Sequence, residues 1–205
     1  MVTRHKVFIS YHHELDEEYK ARLLHINDQY SVFIDRSVDT GDINPDLSDE
    51  TIRVIIRDKY LRDSTVTILL VGKETAHRKH VDWELYSSMY DGPINKKSGI
   101  LVITLPTVEH NGNVIAAHGD VEKENVYPEI SNWTNLGDRK QIEDRYPYLP
   151  ARIVDQLVAD NVKVSVTTWK YIQDAVKLQH LIDLAHRSRH SNQYDLSRPM
   201  MRKNT

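Results

Sequence analysis

Three groups of polar side chains directly follow short apolar runs in the amino-terminal half of the chain. In an α/β protein such runs form strands, and ligands bind at the carboxyl ends of the strands. Polar residues at these ends are therefore candidates for a functional site. The first two groups are Ser10, Tyr11 and His12, and Asp35, Arg36 and Ser37; the third lies after Gly72 and contains Glu84.

Glu84 is the candidate for charge-based chemistry. The apolar spacing after Gly72 predicts a helix from about Val81 to Tyr90, with Glu84 in its first turn. Free backbone N–H groups and the helix dipole favour an ionised carboxylate at that place. The alternative is an ordinary first-turn acid on a solvated face, which is common at helix starts.

Several other kinds of site are excluded or disfavoured by the residue types. With no cysteine among 205 residues, the chain has no disulfide, thiolate metal site or cysteine nucleophile. The 11 histidines include the pairs His12-His13 and His77-x-x-His80, but no HExxH pattern, so we predict no metal site. The sequence contains no P-loop, GxGxxG or GxSxG motif, so nucleotide cradles and a hydrolase nucleophile elbow are not indicated.

Strand and helix patterns alternate along the chain, which predicts a parallel sheet with helices on both faces. The strand patterns are continuous apolar runs, as expected when both faces are covered. We predict a flavodoxin-like, doubly wound α/β fold with five parallel strands. The predicted strands are Val7–Ile9, Val32–Ile34, Val66–Val71, Ile100–Leu105 and Val162–Val166; the predicted helices are Leu15–Ile26, Ile52–Tyr60, Val81–Tyr90, Pro150–Ala159 and Ile172–His186.

Composition indicates one folded domain. Apolar residues make up 40% and charged residues 28%, with a net charge of −3. This balance gives no electrostatic reason to expect nucleic acid as a partner. With no membrane-length apolar run and no signal-peptide pattern, we expect a soluble, cytoplasmic protein. We expect one domain over residues 1–186, a structureless insertion at 106–148 after the fourth strand, and a frayed, basic tail over 187–205.

Three segments of the sequence resemble TIR-like domains, most closely the branch found in bacterial Thoeris anti-phage systems. They are KVFISYHH, TVTILLVGKETAHRKHVDWEL and ILVITL. The resemblance covers about Lys6 to Leu105, and it is the combination of the three segments that is specific. It implies a TIR-like fold and a defence function.

The resemblance also implies an activity and a site. Active TIR domains cleave NAD, as substrate rather than cofactor, at the nicotinamide–ribose bond, and the family's catalytic glutamate falls on Glu84. Ser10, Tyr11 and His12 would line the nucleotide, with Asp35, Arg36 and Ser37 opposite and Arg36 facing a phosphate. The chain departs from the family at His80, where many members carry a tryptophan four residues before the glutamate. Trp83 instead precedes Glu84 directly, so His80 and Trp83 are the remaining candidates for the pocket.

Related Thoeris proteins make a signalling nucleotide, either a cyclic ADP-ribose isomer or an ADP-ribose conjugate. The implied partners are an effector protein that binds this product, a phage protein as trigger, and further copies of the chain. The insertion at 106–148 would cap the pocket and exclude water, or serve as a docking surface. Two alternatives stay open: a non-catalytic TIR-fold scaffold, and another enzyme that cleaves the N-glycosyl bond of nucleosides.

Overall fold

A parallel five-stranded sheet with strand order β2-β1-β3-β4-β5 organises the chain. This is the predicted doubly wound order, with the first strand inside the sheet and the direction of winding reversing between β1 and β3. The fold prediction is therefore confirmed. The computed structural model describes residues 3–37, 43–44, 46–93, 95–108, 113–134 and 136–205.

The strands and helices alternate as predicted. The strands are β1 (Lys6–Ser10), β2 (Ile34–Asp35), β3 (Val66–Val71), β4 (Gly99–Thr104) and β5 (Ser165–Thr168). The helices are α1 (His13–Tyr30), α2 (Asp49–Ile55), α3 (Lys79–Met89), α4 (Asp120–Val126), α5 (Arg139–Arg145), α6 (Ala151–Leu157), α7 (Trp169–Ile172) and α8 (Ala175–Ser188). No helix among these residues is long and apolar enough to span a membrane.

Both faces of the sheet are covered, which explains the continuous apolar strands. On β3, Ile68 and Leu70 pack in a core that includes Leu23 of α1 and side chains of α8. Leu69 and Val71, which alternate with them, pack on the other face against side chains of α3 and α6. Because helices cover both faces of β3, residues on both faces are buried, and five of its six residues are apolar.

The contact between α8 and β4 depends on Gly99. A Cβ at this position would lie 1.9 Å from the carbonyl oxygen of Ala185. The absence of a side chain at the start of β4 therefore lets the α8 backbone approach the sheet directly.

Two predicted helices are not single α-helices. The segment predicted as Ile52–Tyr60 is α-helical only to Ile55 and continues as a π-helical turn over Ile56–Tyr60. The segment predicted as Ile172–His186 is divided into α7 and α8, because Asp174 caps a new helix by accepting from the N–H of Val176 at 2.9 Å. Apolar spacing continues across both breaks, so periodicity alone does not reveal them.

The insertion after β4 is in its expected place, but it is not structureless. It contains α4 and α5. Ile115 forms an antiparallel bridge with Val166 of β5. The buried side chains of Val126 and Ile142 join the cores on the two faces of the sheet. The two helices are only seven residues each, which is why their apolar pattern is weak in the sequence.

The prediction of a frayed tail is wrong. Beyond α8 the chain returns across α6 and α3, and Met200 is buried in a core with Phe8 and Trp83. Arg198 forms an ion pair with Asp155 at 2.6 Å. The tail's cations are thus partly used in specific contacts, which composition alone does not distinguish from a solvated basic terminus.

Candidate active site

The candidate site lies where the winding of the sheet reverses. Ser10 is the last residue of β1, and Gly72 directly follows the neighbouring strand β3. Side chains on the loops after these two strands converge at this edge, and α3 follows the second loop. The predicted clusters around Ser10 and Glu84 are therefore brought together at the place where doubly wound folds bind ligands.

A buried hydrogen bond joins the two clusters. The hydroxyl of Ser10 donates to Oε2 of Glu84 at 2.6 Å, across 74 residues of sequence. Glu84 is 2% exposed and Ser10 is fully buried. This contact is short, so it fixes the carboxyl group of Glu84 relative to the end of β1.

Two expectations about Glu84 are corrected. The helix α3 begins at Lys79, so Glu84 is its sixth residue and lies beyond the first turn. The helix dipole acts mainly within that turn, so it does not explain an ionised group here. Glu84 is also not a solvated acid, because its side chain is buried. The hydroxyl of Ser10 takes the role that the sequence assigned to the helix terminus.

A cavity of about 330 Å³ lies at this edge of the sheet, lined in part by the residues that follow Ser10 and by the first turn of α3, but not by Ser10 itself. It includes three of the predicted residues and several that sequence reasoning missed, among them a residue of the tail. Glu84 and Trp83 are not among the residues that line it. The lining residues are Tyr11, His12, His13, Glu14, Arg78, His80, Val81 and Asn204.

His12 is both a wall of the cavity and the cap of α1. Its Nδ1 accepts from the N–H of Leu15 at 3.2 Å, and its Nε2 contacts the Nε of Arg78. Burial, with the positive charge of Arg78 beside it, lowers the pKa of His12 below its ordinary value. The ring is therefore neutral at neutral pH.

The side chains of the remaining aromatic candidates, Tyr11, His80 and Trp83, make contacts in different parts of the structure. The hydroxyl of Tyr11 is held on α1, where it contacts Glu17 and accepts from Lys20 at 3.0 Å. His80 packs edge-on against Trp83, with ring centres 5.0 Å apart. Trp83 is fully buried and packs in the core under α2, away from the cavity.

The second predicted cluster lies beside β1 but not on the cavity. Ser37 accepts from the N–H of Ile9 at 3.1 Å, one residue before Ser10. Asp35 accepts from the N–H of Ser37 at 2.8 Å, which makes a local turn. Asp35 and Arg36 are exposed at this point.

Asp16 is a buried carboxylate near the site that the sequence analysis missed. It is 3% exposed and accepts from the hydroxyl of Thr75 at 3.3 Å. A Cβ on Gly72 would lie 2.4 Å from its oxygens, so the glycine makes room for the carboxylate. Burial raises the pKa of Asp16, against the opposing effects of His12 and Thr75. In the sequence Asp16 looks like one of several acids in the first turns of α1.

A buried ion pair fastens the tail to α3. Arg152 of α6 donates to both carboxylate oxygens of Asp82, at 2.7 and 3.0 Å. It also donates to the carbonyls of Arg198 and Pro199 at 3.1 Å each. The N–H of Met201 in turn donates to Asp82 at 2.9 Å. Because Arg152 is 1% exposed, these partners must stay in place to satisfy its charge.

Beyond this ion pair the tail continues along the start of α3 to the cavity. The carbonyl of Met201 accepts from the indole N–H of Trp83 at 2.7 Å. The side chain of Asn204 accepts from the N–H of Lys79 at 3.0 Å and lines the cavity. The tail thus satisfies a backbone donor at the start of α3 and forms one wall of the candidate site.

The histidine pairs predicted to be poor metal sites are held by other contacts. His77 pairs with the hydroxyl of Thr205 at 3.2 Å, and His80 packs on Trp83. Among the residues that the structure describes, no group of three or more histidine, aspartate or glutamate side chains could hold a metal ion.

Comparison with known families agrees with the fold. The family model described as "Thoeris protein ThsB, TIR-like domain" matches residues 8–110, which span half of the chain and run from within β1 through β4. No curated protein matches the chain. The chain belongs to the ThsB TIR-like family, and this membership indicates involvement in Thoeris defence.

Proposed function

We propose that this ThsB-family protein is an enzyme that cleaves NAD at the nicotinamide–ribose bond, with Glu84 as the catalytic carboxylate. The observation that carries the proposal is the buried contact of 2.6 Å between Glu84 and Ser10, at the edge of the sheet where ligands bind. A carboxylate that a buried hydrogen bond holds in a fixed position is placed to stabilise a developing positive charge.

The reaction requires little acid–base chemistry. Nicotinamide leaves as a neutral molecule from a cationic pyridinium, so no group has to protonate it. The ribose carbon that remains resembles an oxocarbenium ion, as in glycoside hydrolysis. Glu84 would stabilise this developing charge or hold the ribose hydroxyls, and Ser10 would position its carboxylate.

The cavity beside Glu84 would bind part of the dinucleotide. Its volume of about 330 Å³ is that of a small-molecule site. The neutral ring of His12 and the ring of His80 offer polar and stacking contacts. Arg78 lines the cavity, whereas Arg36 is exposed outside it, so we propose Arg78 as a phosphate-binding residue in addition to the predicted Arg36.

We further propose that the product is an ADP-ribose-derived signalling nucleotide, made in response to phage infection and bound by a partner effector. This part rests on the family. None of the described residues of the insertion lines the cavity, so the insertion does not support the capping role predicted for it. The tail residue Asn204 does line it, and a wall that excludes water favours cyclisation or conjugation over hydrolysis.

The test is mass spectrometry of NAD incubated with the purified protein, with and without lysate of infected cells. Glu84→Gln keeps the shape of the side chain and removes its charge. We expect nicotinamide release by the wild type and a loss of about a hundredfold or more in the variant. Glu74→Gln is the matched control, since Glu74 is exposed on the loop between β3 and α3.

Three results would contradict the proposal. Equal nicotinamide release by the wild type and Glu84→Gln would mean that Glu84 is structural. NAD that survives every condition, including infected lysate, would favour the scaffold alternative. Cleavage of nucleosides but not of NAD would identify a different N-glycosyl hydrolase or transferase. The mass of the adenine-containing product separates cyclisation, conjugation and hydrolysis.

A further inference from the structure

A second cavity, of about 400 Å³, lies at the opposite edge of the sheet from Glu84. Lys6 begins β1, Thr65 directly precedes β3, and Lys97 precedes β4, so the cavity is at the amino ends of the strands. A six-residue strand such as β3 separates the two edges by about 20 Å. The lining residues are Arg4, His5, Lys6, Arg57, Asp63, Ser64, Thr65, Asn95, Lys96, Lys97, His186 and Arg189.

The lining of this cavity is strongly cationic. It combines six arginine and lysine side chains with a single carboxylate, that of Asp63. The nearby ion pairs are long: Lys6 is 3.7 Å from Asp63, and Lys96 and Lys97 are 3.8 and 3.9 Å from Asp91. In a chain whose net charge is −3, such a concentration of positive charge is local and is not a consequence of overall composition.

Arg57 is the most buried of these cations. It lies on the π-helical turn after α2 and is 2% exposed. Its Nε has no hydrogen-bond partner among the described residues, and its Nη1 contacts the hydroxyl of Ser98 only at 3.4 Å. Burial lowers the pKa of Arg57 to about 10, although Asp58 and Asp91 oppose this. A buried guanidinium without a carboxylate bound to it is costly unless an anion completes the site.

The positive charges of this cavity act on the groups next to it. Burial lowers the pKa of Arg189. The ring of His186 stacks on that of His5 with centres 3.8 Å apart. Burial, with Arg189 and His5 close by, lowers the pKa of His186 to about 4. His5 is held by Asp183 at 2.9 Å, so this carboxylate faces the histidine pair. Arg189 donates from Nε to the ring of His190 at 3.1 Å, which is not an anion and leaves its charge unbalanced.

We propose that this cavity is a second ligand site, which binds a small anion with two or more phosphoryl groups, such as a nucleoside diphosphate or triphosphate. Arginine forks match phosphate oxygens, and the six cations of the lining exceed what Asp63 and the nearby Asp91 balance. The volume suits a molecule of nucleotide size. The site is independent of the NAD reaction, because it lies at the other edge of the sheet.

The test uses inorganic triphosphate as the probe, at constant ionic strength, with calorimetry for affinity and thermal unfolding for stabilisation. The wild type should bind it and unfold at a higher temperature in its presence. Arg57→Met should weaken binding about tenfold or more, because charge-assisted hydrogen bonds to phosphate are lost. Without triphosphate, Arg57→Met should unfold at the same temperature as the wild type or higher.

Three further variants make the result specific. Arg189→Gln should also weaken binding. If both variants weaken binding, the loss does not come from a structural disturbance caused by the single buried substitution at Arg57. Arg22→Gln removes the same charge from an exposed position on α1 and should bind triphosphate like the wild type. Glu84→Gln should also bind normally, so failure of the NAD proposal would leave this result unaffected.

The proposal is overturned if triphosphate neither binds nor raises the unfolding temperature, or if Arg57→Met and Arg22→Gln weaken binding equally. A lower unfolding temperature of Arg57→Met without triphosphate would indicate that Arg57 is structural. Binding of a single-stranded oligonucleotide that depends on Arg57, without binding of triphosphate, would identify an extended polymer site instead.

Discussion

The hydroxyl of Ser10 donates to the carboxylate of Glu84 at 2.6 Å, and both side chains are buried. One residue ends β1 and the other lies in the second turn of α3, so the sheet and the helix layer jointly set the position of the carboxylate. Any shift of α3 relative to β1 would break this contact. If Glu84 is catalytic, substitutions that displace its carboxylate should therefore lower the activity even when Glu84 itself is unchanged.

Ser10→Ala should reduce nicotinamide release about tenfold or more, with a larger effect on kcat than on KM, because it removes the hydroxyl that positions the Glu84 carboxylate and leaves the carboxylate in place. It should also lower the free energy of unfolding by about 1–3 kcal/mol, since a buried acceptor loses its donor. Steady-state kinetics and urea unfolding measure the two effects.

Ser87→Ala is the matched control for this substitution. Ser87 is fully buried on the same helix, and its hydroxyl has no hydrogen-bond partner among the described residues. The control should change neither rate nor stability appreciably. If Ser10→Ala behaved like Ser87→Ala in both measurements, the positioning role of Ser10 would be refuted.

Arg152→Met should destabilise the protein by about 3–5 kcal/mol, because it leaves the carboxylate of Asp82 buried and unpaired. Combining it with Asp82→Leu should recover much of this loss, since the buried charge is then absent. Urea unfolding of the single and double variants measures the difference. A double variant that is no more stable than Arg152→Met would show that the ion pair is not the source of the effect.

Removing residues 201–205 should change the products of NAD cleavage. The truncation deletes the acceptor for the Trp83 indole and the Asn204 wall of the cavity. Admission of water should raise the share of plain ADP-ribose about twofold or more relative to cyclised or conjugated product. Lys203→Ala, a change of an exposed side chain in the same segment, should leave the product ratio as it is. An unchanged ratio after truncation would rule out a sealing role for the tail.

Asp16→Asn should stabilise the protein at neutral pH. The pKa of Asp16 is raised in the folded state, so folding favours its protonated form. Its favourable contribution is complete below the unfolded pKa of about 3.9 and is lost as the pH rises through the higher folded value. The advantage of Asp16→Asn in thermal unfolding should therefore grow over this interval and then stay constant. Asp160→Asn, on an exposed turn, should show no such trend; an advantage independent of pH would contradict the assignment.

Gly99→Ala should destabilise the fold by about 1–3 kcal/mol, because the new methyl group would lie 1.9 Å from the carbonyl of Ala185. Gly137→Ala is the control, since a Cβ there meets no atom within 4 Å. Because alanine has fewer backbone conformations than glycine in the unfolded state, Gly137→Ala should be neutral or slightly stabilising. Equal stability of the two variants in urea unfolding would show that α8 can move away from β4.

The layout of the sheet follows from local sequence. Val66–Val71 is a run of six apolar or β-branched residues that can only be buried on both faces, and the helical spacing between such runs requires crossovers. These are short-range properties, so the parallel sheet, its order and the polar groups at the strand ends could be predicted. The π-helical turn after Ile55 and the break at Asp174 could not, since apolar spacing is nearly the same on either side.

The doubly wound sheet and the residue types available at its carboxyl edge depend on neighbours within a few positions, so they can be inferred from the amino-acid sequence. Which of these groups meet depends on the folded chain. Ser10 contacts Glu84 across 74 residues, Arg152 contacts Asp82 across 70, and Asn204 contacts Lys79 across 125. The two buried pairs form because a buried polar or charged group requires a partner, and the packing that provides the partner depends on the whole chain.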